Sequence, residues 1–119
     1  MLLAAQIVTG IVALIHVYIV LLETVLFDSR GKTVFGLTDE AAAIVKPAMS
    51  NQGCYNGFLV AALALGLFWP APAVARAFAV FGLACVAVAG VWGGLTVKRV
   101  ILLIQTLPAV VGLGLWWAA

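Results

Sequence analysis

Four long apolar runs dominate this chain, at about residues 2–27, 48–69, 74–97 and 100–118, and only one substantial polar segment, residues 28–47, separates any two of them. Each run approaches or exceeds the ~20 residues that carry a helix across a hydrocarbon core. Helix is required there, because lipid offers the backbone no hydrogen-bond partners and four runs are too few for a barrel. Within the polar segment, Asp28-Ser29-Arg30-Gly31-Lys32 reads as a turn. Thr38 can then cap a short helix over 39–46, with Asp39 and Glu40 in the first turn, where the helix dipole favours anions. Pro47 should break that helix or open the second span at its first position. Trp69-Pro70-Ala71-Pro72 predicts a tight turn, Lys98-Arg99 marks the last connection, and Pro108 should kink the fourth span. Connections this short force antiparallel neighbours, so the expected fold is all-α: an integral membrane antiparallel four-helix bundle, with residues 1–119 as one transmembrane domain.

The polar positions inside the apolar runs are few and patterned. In the first run they are Gln6, Thr9, His16, Tyr18, Glu23 and Thr24. Stepping by three and four places Gln6, Thr9, His16 and Glu23 on one helical seam, which should face the interior of the bundle. His16 and Glu23 are two turns apart, about 10.5 Å along the axis. Insertion scales charge roughly 2.5–3.5 kcal/mol for an Asp, Lys or Arg at a helix centre, so ionisable groups at that depth read as a site. The second run opens with Asn51-Gln52-Gly53-Cys54-Tyr55-Asn56-Gly57. Asn51 and Tyr55, and Gln52 and Asn56, are each one turn apart, giving amides and a phenol near one end of the span. Asn51-Gln52-Gly53 also has turn character, so the start of that helix can slip. Gly53 and Gly57, like Gly90 and Gly94, form steps at which another helix can come close, either in the bundle or in a homo-oligomer. Depth-matching of antiparallel spans predicts a pocket open to the cytoplasmic side, floored by His16 and walled by Glu23, Asn56, Tyr55 and Gln105. Asn51, Gln52 and Trp92 are further candidates to line it.

Composition agrees with the membrane reading. Of 119 residues, 66% are hydrophobic and 8% charged, against about 25% charged in soluble domains. A net charge of +2, dispersed along the chain, gives no footprint for nucleic acid. The first run has no basic segment before it and contains His16 and Glu23, so it should be retained as the first span rather than cleaved as a signal peptide. Arg30, Lys32, Lys46, Lys98 and Arg99 fall in the first and third connections, and only Arg76 lies on the other side. The positive-inside rule therefore puts those connections in the cytoplasm and both termini outside, with Trp69, Trp116 and Trp117 as an outer aromatic belt. Cys54 and Cys85 have neither redox-pair nor zinc spacing and read as two small buried thiols.

The chemistry on offer is acid and base without a cofactor. One histidine and one embedded carboxylate fall short of the three ligands that catalytic zinc takes, and a lone histidine does not make a haem site. No triad spacing and no phosphate loop occur. Three readings stay open. The first is an intramembrane enzyme of isomerase, epoxide-opening or cyclase type acting on an apolar or lipid-like molecule, with Glu23 and His16 as acid and base and Asn51, Gln52, Tyr55, Asn56, Trp92 and Gln105 binding substrate. The second is an oligomeric proton-coupled transporter, channel or ligand-binding module. The third is a structural or accessory membrane protein, in which His16 and Glu23 fix helix register.

The runs His16-x-Tyr18-Ile19-x-x-Leu22-Glu23, Gly31-Lys32-x-x-Phe35-Gly36-Leu37 and Asn51-Gln52-Gly53-x-Tyr55-Asn56-Gly57-Phe58-Leu59 resemble the small bacterial membrane proteins grouped as Domain of Unknown Function 1304. The resemblance covers nearly the whole chain. It implies a four-span protein of the bacterial cytoplasmic membrane and carries no activity with it.

Overall fold

The boundaries of the elements follow from local chemistry. In the computed structural model, which describes residues 1–119, the chain is helical and has no strand. Helix α1 covers Leu2–Glu23. Beyond it the expected turn is a wide helical coil: Phe27–Gly31 is π-helical, and the Gly31 N–H donates to the Leu26 carbonyl five residues back, at 2.7 Å. Gly31 is required here, because a Cβ at this position would overlap the Leu22 carbonyl oxygen. A single turn, α2 (Lys32–Val34), follows. It closes at Gly36, whose φ of 69° only glycine adopts freely, and the Leu37 N–H reaches back to the Lys32 carbonyl at 2.8 Å.

Helix α3 covers Asp39–Phe68 without interruption. Thr38 caps it as expected, its Oγ accepting from the Ala41 N–H at 3.2 Å. The break expected at Pro47 does not occur, so 39–46 is not a separate helix and Asn51-Gln52-Gly53 is fully helical. A proline ring removes one backbone bond and crowds the carbonyl four residues back. Here that carbonyl belongs to Ala43, exposed like Pro47 itself, so it can turn to the surroundings while the flanking helical bonds hold. Helix α4 (Pro72–Thr96) starts with Pro72 in its first turn, where the missing N–H costs nothing. After the Lys98-Arg99 connection the chain is π-helical over Leu102–Thr106 and then enters α5 (Leu107–Trp117). The Leu107 N–H bonds to the Leu102 carbonyl. Pro108 falls in the first turn of α5, directly after the π segment.

Two helices, α1 and α4, are long and apolar enough to cross a membrane, and the stretch Leu102–Trp117 is apolar but shorter. Helix α3 carries its unbroken apolar run only in its C-terminal part.

The chain divides into two compact units, Met1–Leu14 with Leu59–Ala119, and Ile15–Phe58. The first has an apolar core drawn from four helical segments: Ala5 and Val12 of α1, Leu63 of α3, Ala79, Leu83 and Val86 of α4, and Ala109 and Trp116 of α5. Small residues set the close approaches. A Cβ on Gly66 would lie 2.6 Å from the Ala79 backbone nitrogen, and Gly90 and Gly94 pack directly on Thr106 and Leu102. Trp116 is 4% exposed and donates its indole N–H to Thr9 Oγ at 2.9 Å, while Thr9 in turn donates to the Ala5 carbonyl at 2.8 Å. It is therefore a core residue and not a belt residue, because the buried threonine supplies the acceptor that an indole otherwise seeks at the interface. Trp69 and Trp117 are exposed. Of the two cysteines, Cys85 is half-buried but Cys54 is exposed, which corrects the expectation of two buried thiols.

The second unit, Ile15–Phe58, holds the C-terminal part of α1, the π segment, α2 and the N-terminal part of α3.

Candidate functional site

Within the second unit, the last residue of α1 meets the middle of α3. Gly53 makes the meeting possible: a Cβ there would lie 2.5 Å from Thr24 Cγ2 and 3.2 Å from Glu23 Cβ. One turn further along α3, Asn56 donates from Nδ2 to Glu23 Oε2 at 2.7 Å. Glu23 is 7% exposed and Asn56 half-buried, so this is a carboxylate–amide pair largely withdrawn from the surroundings. The pair engages one carboxylate oxygen, and the other has no protein partner. Thr24, beside it, is turned inward and donates to the Val20 carbonyl at 2.6 Å. His16, two turns back on α1, is 1% exposed.

The other residues singled out in the second run are disposed differently. Asn51, Gln52 and Tyr55 are exposed, and Tyr55 stacks edge-to-face on Phe58 at 5.8 Å. Asn56 alone of the four reaches the carboxylate. Gly57 has open space around it. Trp92 and Gln105 belong to the other unit. Trp92 is 71% exposed, and its carbonyl accepts from the Thr96 hydroxyl at 2.7 Å. Gln105 is half-buried on the π segment, its Cβ packed against Gly90.

Three polar contacts at the exposed end of the second unit were not legible from spacing. Arg30 donates from Nε to the Tyr18 hydroxyl at 2.9 Å. Lys46 pairs with Asp28, and Lys32 with Asp39 at 2.7 Å. Each ties the 28–47 segment to itself or to α1. Partners 18 residues apart, such as Asp28 and Lys46, give no periodic signal, because the chain between them is bent. Asp39 and Lys32 shift each other in the expected directions: the carboxyl is held below its usual range and the ammonium above its own by their mutual hydrogen bond and attraction. Nowhere do three or more His, Cys, Asp or Glu side chains converge as a metal site would need.

The geometry offers one chemical capability. A carboxylate held through one oxygen by an amide, with the other free, can take or give a proton at a fixed position. The profile of the family described as a protein of unknown function, DUF1304, matches residues 10–117. The chain belongs to the DUF1304 family. No curated protein and no solved structure matches it. The DUF1304 match takes in every candidate residue from His16 to Gln105. The three sequence runs that carry the DUF1304 resemblance fall, except for Leu59, in the second unit. Several of their residues have definite structural work there: Gly31 and Gly36 shape the coil after α1, and Gly53 admits the contact that Glu23 and Asn56 complete.

Proposed function

We propose that this DUF1304 protein is a four-span protein of the bacterial cytoplasmic membrane with an acid/base site at Glu23, acting on an apolar, lipid-like substrate in an isomerase-, epoxide-opening- or cyclase-type reaction. The crossings are α1, the apolar part of α3, α4 and Leu102–Trp117, packed as an antiparallel bundle. The connections bearing Arg30, Lys32, Lys46, Lys98 and Arg99 face the cytoplasm, in keeping with the positive-inside rule. Glu23 then lies near the cytoplasmic end of the first crossing. The single observation that carries the reading is the Asn56–Glu23 bond of 2.7 Å, which orients the carboxylate and leaves one oxygen for a substrate proton. Asn56 is the positioning residue, and His16, buried on the same helix, is the candidate second proton carrier. Tyr55, Asn51 and Gln52, exposed on the same middle stretch of α3, are the groups a substrate would pass from the bilayer. Of the Gly53/Gly57 and Gly90/Gly94 steps expected to serve a homo-oligomer, Gly53, Gly90 and Gly94 are packed within the chain, so an oligomer contact would use Gly57, which has open space.

A second reading draws on the same bond: a buried interhelical hydrogen bond can simply fix register, at about 0.6 kcal/mol on average in membrane proteins. Mass spectrometry of small molecules that co-purify in nanodiscs separates the two. A defined molecule bound to the wild type and lost or chemically altered with Glu23→Gln supports the acid/base site. Bulk lipid alone in both samples, with a less stable variant, supports the structural reading and overturns the enzymatic one.

A further inference from the structure

We propose that α4 carries a binding site for an anionic phospholipid, with Arg76 on the headgroup phosphate and the helix face below it receiving an acyl chain. The inference rests on the membrane reading above but not on the chemistry assigned to Glu23. Ala73, Arg76, Ala77, Val80, Phe81 and Ala84 recur at helical spacing along one face of α4 and line a shallow open groove. From Arg76 to Ala84 the groove runs about 12 Å at 1.5 Å per residue. That covers most of one leaflet of a hydrocarbon core roughly 30 Å thick. Besides Arg76, its lining is apolar: three alanines, Val80 and Phe81. Helix α4, with 25 residues, is about 37 Å long. It exceeds the hydrocarbon thickness, so its first turns, and Arg76 with them, reach the headgroup layer.

Charge complementarity names the occupant. Arg76 is exposed and makes no hydrogen bond or ion pair within the protein. All four carboxylate side chains, Glu23, Asp28, Asp39 and Glu40, belong to the other unit, so the unit containing Arg76 has none. The start of α4 adds to the same field: Ala71 offers no side-chain cap and the first turn has no acidic residue, which leaves the positive end of the helix dipole uncompensated beside the guanidinium. A phosphodiester suits the planar donor fork of arginine. A choline or ethanolamine headgroup would bring a cation into this field with no carboxylate to receive it. A phosphatidylglycerol-type lipid brings only the anion.

The test uses the full chain in two steps. Flotation with phosphatidylcholine vesicles first reads membrane insertion. Native mass spectrometry from micelles holding equimolar phosphatidylglycerol and phosphatidylcholine then reads which lipid stays bound. The wild type should retain phosphatidylglycerol about fivefold over phosphatidylcholine, the scale expected of one arginine near an anionic surface. Arg76→Gln should bring the ratio close to one, Arg76→Lys should keep most of the preference, and the double variant Lys98→Gln/Arg99→Gln should leave it unchanged. A preference that survives Arg76→Gln, or that only the Lys98/Arg99 variant removes, overturns the proposal. A wild type that floats with the vesicles but retains both lipids equally overturns it while leaving the membrane reading intact. Failure to float overturns both.

Discussion

A buried carboxylate is costly unless something answers it, and Glu23 is answered by one amide. Removing that amide with Asn56→Leu leaves the Glu23 oxygen unsatisfied and should cost about 1–3 kcal/mol, read as a lowered unfolding midpoint in detergent. Glu23→Gln keeps an acceptor for Asn56 and should change stability far less while abolishing any proton chemistry. If Glu23→Gln proved the more damaging of the two to stability, the carboxylate would be a structural clamp. The Thr9–Trp116 bond makes a parallel case in the other unit. Thr9→Val keeps the volume but removes the acceptor for a fully enclosed indole N–H, a loss of about 1–3 kcal/mol that tryptophan fluorescence during unfolding would report. These residues differ in how far the chain alone reveals them. Thr9, His16 and Glu23 are marked by their rarity on an apolar helix and their shared seam, and all three are buried. Asn56 looks no different in sequence from Asn51 or Gln52, and only the contact between α3 and α1 selects it.

At the scale of the element, glycines and prolines act through what lies next to them in space. Gly31→Ala would drive a methyl group into the Leu22 carbonyl, which is backbone and cannot swing aside. We expect a loss of about 1–3 kcal/mol, the usual cost of overpacking, and a loss of helical circular dichroism on mild heating. Pro47 should behave in the opposite way. It occupies the interior of α3 and denies the helix one backbone bond, so Pro47→Ala should raise stability, by up to about 3 kcal/mol if the proline bears its full helix-interior cost. An unchanged or lowered midpoint would mean that the proline geometry is itself required. Local rules anticipated the cap at Thr38 and the turn after Trp69, because each depends on residues within one turn of each other, though α4 starts at Pro72, two residues earlier than the apolar run suggested. They misjudged Pro47, since whether a proline ends a helix depends on the room available to the carbonyl four residues back.

Over the whole molecule, charge is segregated: every carboxylate side chain lies in Ile15–Phe58, while Arg76, Lys98 and Arg99 lie in the other unit without one. The exposed Lys32–Asp39 pair sets a pH window that can be stated in advance. The Asp39 carboxyl is lowered from 3.8, so its contribution is present above that value and is lost as pH falls through the lowered one. The Lys32 ammonium is raised from 10.5, so its contribution persists up to that value and is lost as pH rises through the raised one. Between those limits the pair should leave stability flat. An NMR titration of the Asp39 carboxyl should return to the ordinary value in Lys32→Gln, and added salt should weaken the effect because the pair is exposed. The sequence by itself determined that this chain is helical and apolar enough for a membrane, where its polar residues fall along the helices, and which family it resembles, since these depend on composition and on a period of 3.6 residues. Only the tertiary structure decided that Asn56 is the partner of Glu23, that Trp116 turns inward to Thr9, that α3 runs through Pro47 and that Arg76 stands over an open groove. The two hydrogen bonds depend on distances between residues far apart in the chain, and the other two on the room around exposed helix faces, neither of which periodicity encodes.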